Sequence, residues 1–425
     1  MKKILQELKS QPVIAWVTIV GTALAMFLIM IVVMLNQVKV VDIAPESDRD
    51  LYLYATRGEA ECTDTANYWS AQYGIGLPML EKIFNPLTTP KMMSVFQRGV
   101  DEATVSIPGV AATTIDWKST DANFFKIYKF KFLAGQSFDE SAVLAHEKKA
   151  VITKQVAENT FKSVGGAVGK DVFINDVPYT VTGVVDNVSP VASKAYAQVW
   201  TPLQQDEPDE WSLKYGLGRY GVVMLAADQK NLAEIRDEVE SNLAKYNASR
   251  AAEQVETTLG GGPYTHIESV YGGDYRKPDM AKEHRQQIIT YVILLLIPAI
   301  NLSTMTRSRL ANKISEIGVR RAFGATRSSI VMSILTENFV ITLIGGAIGL
   351  ILSWIFGGLF FDSIYSAGLF NSYNTAVTPG LDTLFAWSTF LYVLLFCFIL
   401  NLISSGVPAI RASRINPVDA INAKK

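Results

Sequence analysis

Hydrophobic and polar positions divide the chain into four long apolar runs and one long mixed stretch. The runs cover 13–35, 288–305, 330–356 and 384–410. A helix rises 1.5 Å per residue, so the first run reaches roughly 34 Å and crosses about 30 Å of hydrocarbon with some tilt. Pro298 lies inside the second run and is expected to kink or break its helix. The first run is longer than the ~7–15 residues of a signal-peptide core and ends in no small-residue cleavage pattern, so it reads as a retained anchor. Residues 36–285 carry charges throughout and no long apolar run. β-Branched runs at 151–153 and 179–185 predict strands, and 220–225 is a further strand candidate. The segment 171–179 predicts a hairpin turning at Asn175-Asp176. Leu232, Ile235, Val239, Leu243 and Tyr246 recur every three or four residues and predict an amphipathic helix. The Gly260-Gly261-Gly262-Pro263 and Gly272-Gly273 clusters mark loops. The expected fold is therefore an α-helical membrane protein with four transmembrane helices and a large α+β extracytoplasmic domain between helices 1 and 2.

Composition agrees with this split. Of 425 residues, 49% are hydrophobic and 19% charged, too apolar for an ordinary soluble protein and too charged for one wholly in lipid. A net charge of -1 offers no basic field for nucleic acid. Cys62 and Cys397 lie in regions of opposite character and imply no disulfide framework, and three histidines leave little for a metal site.

Charge asymmetry orients the spans. Arg307, Arg309, Lys313, Arg320, Arg321 and Arg327 face a single acid, Glu316, between the second and third spans, whereas 357–383 contains no Lys or Arg. The positive-inside rule places both termini and the second connection in the cytoplasm. The expected segments are a cytoplasmic N-terminus 1–12, span 13–35, external domain 36–285, span 286–305, cytoplasmic loop 306–329, span 330–356, external loop 357–383, span 384–410 and cytoplasmic tail 411–425.

The cytoplasmic loop contains Glu316-Ile317-Gly318-Val319-Arg320-Arg321-Ala322-Phe323-Gly324-Ala325-Thr326. Leu310, Ile314 and Ile317 recur at helical spacing, Gly324 is placed to end a helix and Ala325-Thr326 to start the next. Residue chemistry alone leaves two readings open, a headgroup anchor held by positive charge and a docking element for a partner.

This run resembles the signature of the MacB/FtsX-like permeases, subunits of ABC transporters. Glu337-Asn338-Phe339 with Gly345-Gly346-Ala347-Ile348-Gly349 resembles the family's third span, and the tail from Pro408 to Ile421 its C-terminal ending. The stretches 117–135 and 151–202 resemble its periplasmic core. The resemblance implies a coupling helix that docks on a separate ATP-binding subunit through Glu316, Gly318, Arg320, Arg321, Gly324 and Ala325. It implies no cofactor on this chain, with ATP and Mg on the partner ATPase, and a dimer with a second permease copy or paralogue. It implies a multi-pass protein of the bacterial inner membrane, in contact with lipid. It also implies an external domain of two lobes, one beginning and ending the domain and the other inserted. Two activities share this machinery. One is export or extraction of a hydrophobic or amphiphilic cargo, driven by mechanical transmission to the external domain. The other is an FtsX-like mechanical regulator of a periplasmic cell-wall hydrolase or signalling partner; a periplasmic adaptor is a further implied partner. The resemblance does not extend to span two, where Pro298 and its neighbours replace the family's glycine-rich helix.

Other motifs are weaker. The run Val164 to Asp171 lacks the first glycine and the hydroxyl of a phosphate loop and reads as the turn before the hairpin. His146-Glu147 begins like a zincin helix, but Ala150 stands at the second histidine position. Gly345 and Gly349 allow close helix approach, within one protomer or across a dimer. Glu337 is a carboxylate inside a span and a candidate polar site, or a residue that hydrogen-bonds across helices or snorkels. No nucleophile–base or paired-carboxylate constellation is legible, so an enzyme is not expected.

Overall fold

The computed structural model describes residues 12–64, 68–204, 210–273 and 277–364, with isolated helical positions between 391 and 410. The chain divides into two units, 1–37 with 281–361 and 380–425, and 38–280 with 362–379.

In the first unit the opening helix is Pro12–Val40, longer at both ends than its apolar run. Among the described residues, two helices are long and apolar enough to cross a membrane, Ile19–Val40 and Arg327–Phe360. The second predicted span lies inside one helix, Met280–Ala322, of 43 residues. Two expectations are corrected here. Pro298 does not end the helix, and the basic segment expected as a loop at 306–329 continues the same rod to Ala322. From 299 to 322 there is no proline and one glycine, Gly318, so no strong breaker stops propagation until Gly324. Ile288, Ile289, Val292, Ile293, Leu296 and Ile300 are exposed on this rod, an apolar surface suited to lipid. The next helix is Arg327–Ile364, against the expected 330–356. The N-terminal segment 1–11, most of the external loop 357–383, nearly all of the fourth span 384–410 and the tail 411–425 lie outside the described residues.

The second unit is α+β. Its inserted lobe is a closed ring of six strands. Asp101–Ile107 pairs Val110–Thr120, which pairs Val199–Pro202 in parallel. Val199–Pro202 pairs Lys149–Thr153, which runs parallel to Val177–Val185. Val177–Val185 pairs Asp171–Ile174, which returns to Asp101–Ile107. Alternating inward residues such as Val105, Ile115, Ile152, Val181 and Val199 fill the ring. The hairpin turns at Asn175 and Asp176, with φ of 44° and 64°, the left-handed pair that a two-residue I′ turn requires. Gly165–Ala167 is a short 3-10 turn leading into that hairpin, and His146 sits exposed on a loop.

The other lobe begins and ends the unit. Tyr52–Ala55, Ser70–Ile75 and Met92–Gln97 flank the central Tyr220–Leu225 strand, with Gly58–Cys62 and Val255–Thr258 beyond. The Asn231–Ser249 helix buries Ile235, Val239 and Tyr246 against it, the face its periodicity predicts. A single ladder pair, Phe96 with Thr120, joins the lobes. Between them Tyr52, Tyr54, Phe96, Phe124, Tyr128 and Trp200 form an aromatic core.

Candidate functional site

The motif at 316–326 forms a helix–turn–helix corner. Gly324, at φ 92°, stands just past the helix end. Its N–H donates to the Arg321 carbonyl and that of Ala325 to the Arg320 carbonyl, both at 3.0 Å. This is the Schellman pattern, which satisfies two of the carbonyls a helix end leaves open. Thr326 then caps the next helix, accepting from the Ser329 N–H at 3.2 Å. Ile317 and Ile330 pack together under the corner with Ala325 and Ile334. Gly318 is buried and Arg321 half-buried, while Glu316, Arg320 and Gly324 face outward. Arg320 Nη2 and Glu316 Oε1 form an exposed i,i+4 ion pair at 2.5 Å, and Phe323 projects at 89% exposure. The corner thus presents a carboxylate, a guanidinium and an apolar ring on one rigid turn.

Gly345 and Gly349 meet the first helix of the same chain. A Cβ on Gly345 would lie 2.8 Å from Thr22 Cβ, and one on Gly349 2.5 Å from the Ala23 carbonyl and 2.7 Å from Met26 Cβ. Asn338, Thr342 and Ser353 extend the buried stripe, opposite Ile19, Met26 and Met30. Small residues allow backbones to approach and dispersion contacts to accumulate where lipid supplies no hydrophobic drive. Glu337 sits half-buried beside this stripe and engages a neighbour.

Sequence reasoning missed a buried polar cluster in the external unit. Arg49, 2% exposed, pairs its Nε with Glu46 Oε2 at 2.9 Å. Its remaining nitrogens donate to the Val41 and Val191 carbonyls at 2.6 and 2.9 Å. Glu46 Oε1 accepts the Lys194 and Ala195 N–H groups at 2.9 and 3.0 Å. His266 Nε2 lies 2.8 Å from the Lys39 carbonyl; a carbonyl only accepts, so Nε2 carries the proton and the buried Nδ1 is left without a partner. Burial, then the Arg49 charge, pushes the His266 pKa down, favouring that neutral ring. The cluster therefore ties the last residues of the first helix to both lobes.

Lys118 lies in the same region, donating to the Lys194 carbonyl at 2.7 Å with its ammonium 5.5 Å from the Phe96 ring centroid. Burial, followed by the charge of Lys194, pulls its pKa from 10.5 to about 7. Below that value folded and unfolded chains both hold the proton, and the cost of the buried charge is fully present. Above it the folded chain releases the proton first, so stability rises with pH until the unfolded lysine also titrates near 10.5. Between pH 7 and 8 the gain is about 1 kcal/mol. Thermal unfolding of the full chain should show a higher midpoint at pH 8 than at pH 7, and Lys118→Met should flatten that difference.

Between the lobes lies a cleft of about 640 Å³ walled by Tyr73, Trp117, Tyr179 and Tyr220. Among the described residues no group of three or more His, Cys, Asp or Glu is arranged to hold a metal ion.

Comparison with known proteins bears on both units. The MacB-like periplasmic core domain matches residues 15–242, and the FtsX-like permease C-terminal domain matches 288–417. The macrolide export ATP-binding/permease protein MacB of Pasteurella multocida is 25% identical over 305 residues, 70% of this chain and 41% of that protein. The uncharacterized ABC transporter permease YknZ of Bacillus subtilis is 23% identical over 303 residues, 70% of this chain and 67% of its own length. The chain thus spans about two fifths of the length of that MacB relative. The extracellular domain of YknZ aligns with 48% of this chain and 99% of its own at TM-score 0.32 and 14% identity. The periplasmic region of MacB from Actinobacillus actinomycetemcomitans aligns with 48% and 88%, at TM-score 0.31 and 11% identity. With the core-domain model covering more than half of the sequence and the permease model most of the remainder, this chain belongs to the MacB/FtsX-like family of ABC transporter permeases.

Proposed function

We propose that this chain is the transmembrane subunit that takes up ATP-driven motion from a separate ATP-binding subunit and delivers it to an extracytoplasmic domain, exporting or extracting an amphiphilic cargo. It works in the bacterial inner membrane with four spans, both termini cytoplasmic, and a second permease copy beside it. The observation that carries this reading is the cytoplasmic corner. Glu316, Arg320 and Phe323 stand exposed on a turn that Gly324 locks, at the end of a 43-residue rod continuous with the second apolar run. A load on such a corner passes along one helix without an intervening joint. The membrane-anchor reading accounts for the arginines but not for a carboxylate paired at the tip.

The ion pair itself offers the test. An exposed i,i+4 pair adds only about 0.3–0.5 kcal/mol to helix stability. Exchanging its ends, Glu316→Lys with Arg320→Glu, keeps a pair on the helix and inverts the charges a partner meets. Binding of the cognate ATP-binding subunit, measured by co-purification and titration, should fall by about tenfold or more, since like charges then oppose across the contact. Unchanged binding would remove docking from this corner. The cargo reading is separated from the regulator reading by which is lost on deletion of the gene: resistance to a toxic amphiphile, or cell-wall hydrolase activity.

A further inference from the structure

We propose that the cleft between the two lobes of the external domain is a ligand site for an uncharged amphiphile bearing a hydrogen-bond acceptor, such as a ketone, ester or ether oxygen on an apolar or aromatic body. A volume of about 640 Å³ lies within the roughly 300–1,000 Å³ of small-molecule sites. Tyr73 and Tyr220 come from the first lobe and Trp117 and Tyr179 from the strand ring, so the walls are aromatic on both sides. Rings of this kind give large apolar contact with little loss of side-chain freedom.

Two polar groups in the wall point to the ligand's chemistry. Gln97 is 8% exposed, and its Oε1 accepts the Ser119 N–H at 3.3 Å. That contact leaves the amide nitrogen as the donor, and it has no partner among the described residues. Tyr179 is likewise 8% exposed, and its hydroxyl has no hydrogen-bond partner among the described residues. Both residues line the cleft and keep their donor atoms open to it, where a ligand's acceptor can meet them. By contrast, the Trp117 Nε1–H is already satisfied by Thr201 Oγ1 at 2.8 Å and serves as wall alone. Charge enters only at the mouth, where Asp101 and Arg219 neutralise each other at 2.8 Å, both largely exposed. The two charges of the lining pair with each other, and Lys148 holds its ammonium 5.4 Å from the Tyr179 ring centroid; a neutral acceptor finds two donors within an aromatic slot.

The proposal takes the export reading as its frame, and its test needs no ATPase, so its failure and that of docking are distinguishable. The full chain in lipid nanodiscs is irradiated with 4-hydroxybenzophenone, an uncharged two-ring ketone that crosslinks where it binds, and labelled peptides are mapped. Labelling should concentrate, saturably, on the peptides holding Trp117, Tyr179 and Tyr220. Gln97→Glu keeps the acceptor for Ser119 and deletes the donor; Tyr179→Phe deletes only a hydroxyl. Each should weaken half-saturation by roughly three- to tenfold, at an unchanged thermal midpoint for Tyr179→Phe. Labelling confined to the spans, scattered without saturation, or equal in Tyr179→Phe and the parent would overturn the site.

Discussion

Arg49→Met will destabilise the external domain by about 3–5 kcal/mol, the range for removing one member of a buried ion pair. The substitution leaves Glu46, which has no exposed surface, with two backbone amides and without the guanidinium that touches it. It also strips donors from the Val41 and Val191 carbonyls. The chain near Val38–Val41 then loses its grip on the loop at Val191. Hydrogen exchange should show faster opening of 38–55 and 188–200 than in the parent. The double variant Glu46→Gln with Arg49→Met tests the cause. With the stranded charge gone, more than half of the lost stability should return, because a neutral replacement of both partners costs far less than breaking the pair. If the double variant is as unstable as the sum of the single ones, the pair is not what holds this junction.

Gly349→Leu is expected to separate the helices Pro12–Val40 and Arg327–Ile364. Its Cβ would fall within 2.7 Å of Ala23 and Met26 atoms, one of them a main-chain oxygen that a rotamer change cannot move. Overpacking of this kind costs about 1–3 kcal/mol, and here the helices relieve it by moving apart. A cysteine pair reads the contact directly. Thr22→Cys with Gly345→Cys, in a chain lacking Cys62 and Cys397, should form a disulfide within one protomer once the helices part by roughly 1 Å, from a Cβ separation of 2.8 Å to the ~3.5–4.5 Å of the bond. Adding Gly349→Leu should abolish it. Crosslinked dimers on a denaturing gel, in place of a faster-moving monomer, would assign the glycine stripe to the interface between copies.

The elements that were legible in advance are those whose side chains follow a period. The Asn231–Ser249 helix shows its face every three or four residues, and the hairpin at Asn175-Asp176 combines a turn pair with flanking β-branched residues. The corner at Gly324 was legible because glycine just past a helical run has a backbone reason to be there. The second helix was misjudged at both ends of its motif. A proline in an apolar helix removes one hydrogen bond, and with no water to compete for the others the turns on either side persist. The buried cluster left no such trace. In the strand Val110–Thr120 the inward positions near its end are Asp116, Lys118 and Thr120, a polar alternation that normally marks the solvent side. Only tertiary pairing, Asp116 with the Tyr196 hydroxyl at 2.6 Å and Lys118 with a carbonyl, makes burial tolerable there. Arg49 and Glu46 sit in an unremarkable run of acids and bases, and His266 stands alone. The cleft was equally invisible, since its four rings come from strands scattered between 70 and 225.

The closed strand circuit of the inserted lobe also sets where neighbours can attach. The six strands of the circuit leave one another no free margin, and the edge of this lobe falls to the short strand Phe132–Gly135, paired with the end of Val177–Val185. On the outer flank of Val255–Thr258, which pairs with Gly58–Cys62, the Thr257 amide and carbonyl are already held by the Asn247 side chain at 3.0 and 2.7 Å. A strand lent to that flank must first displace the Asn247 amide, so the side chain acts as a guard on this edge of the sheet.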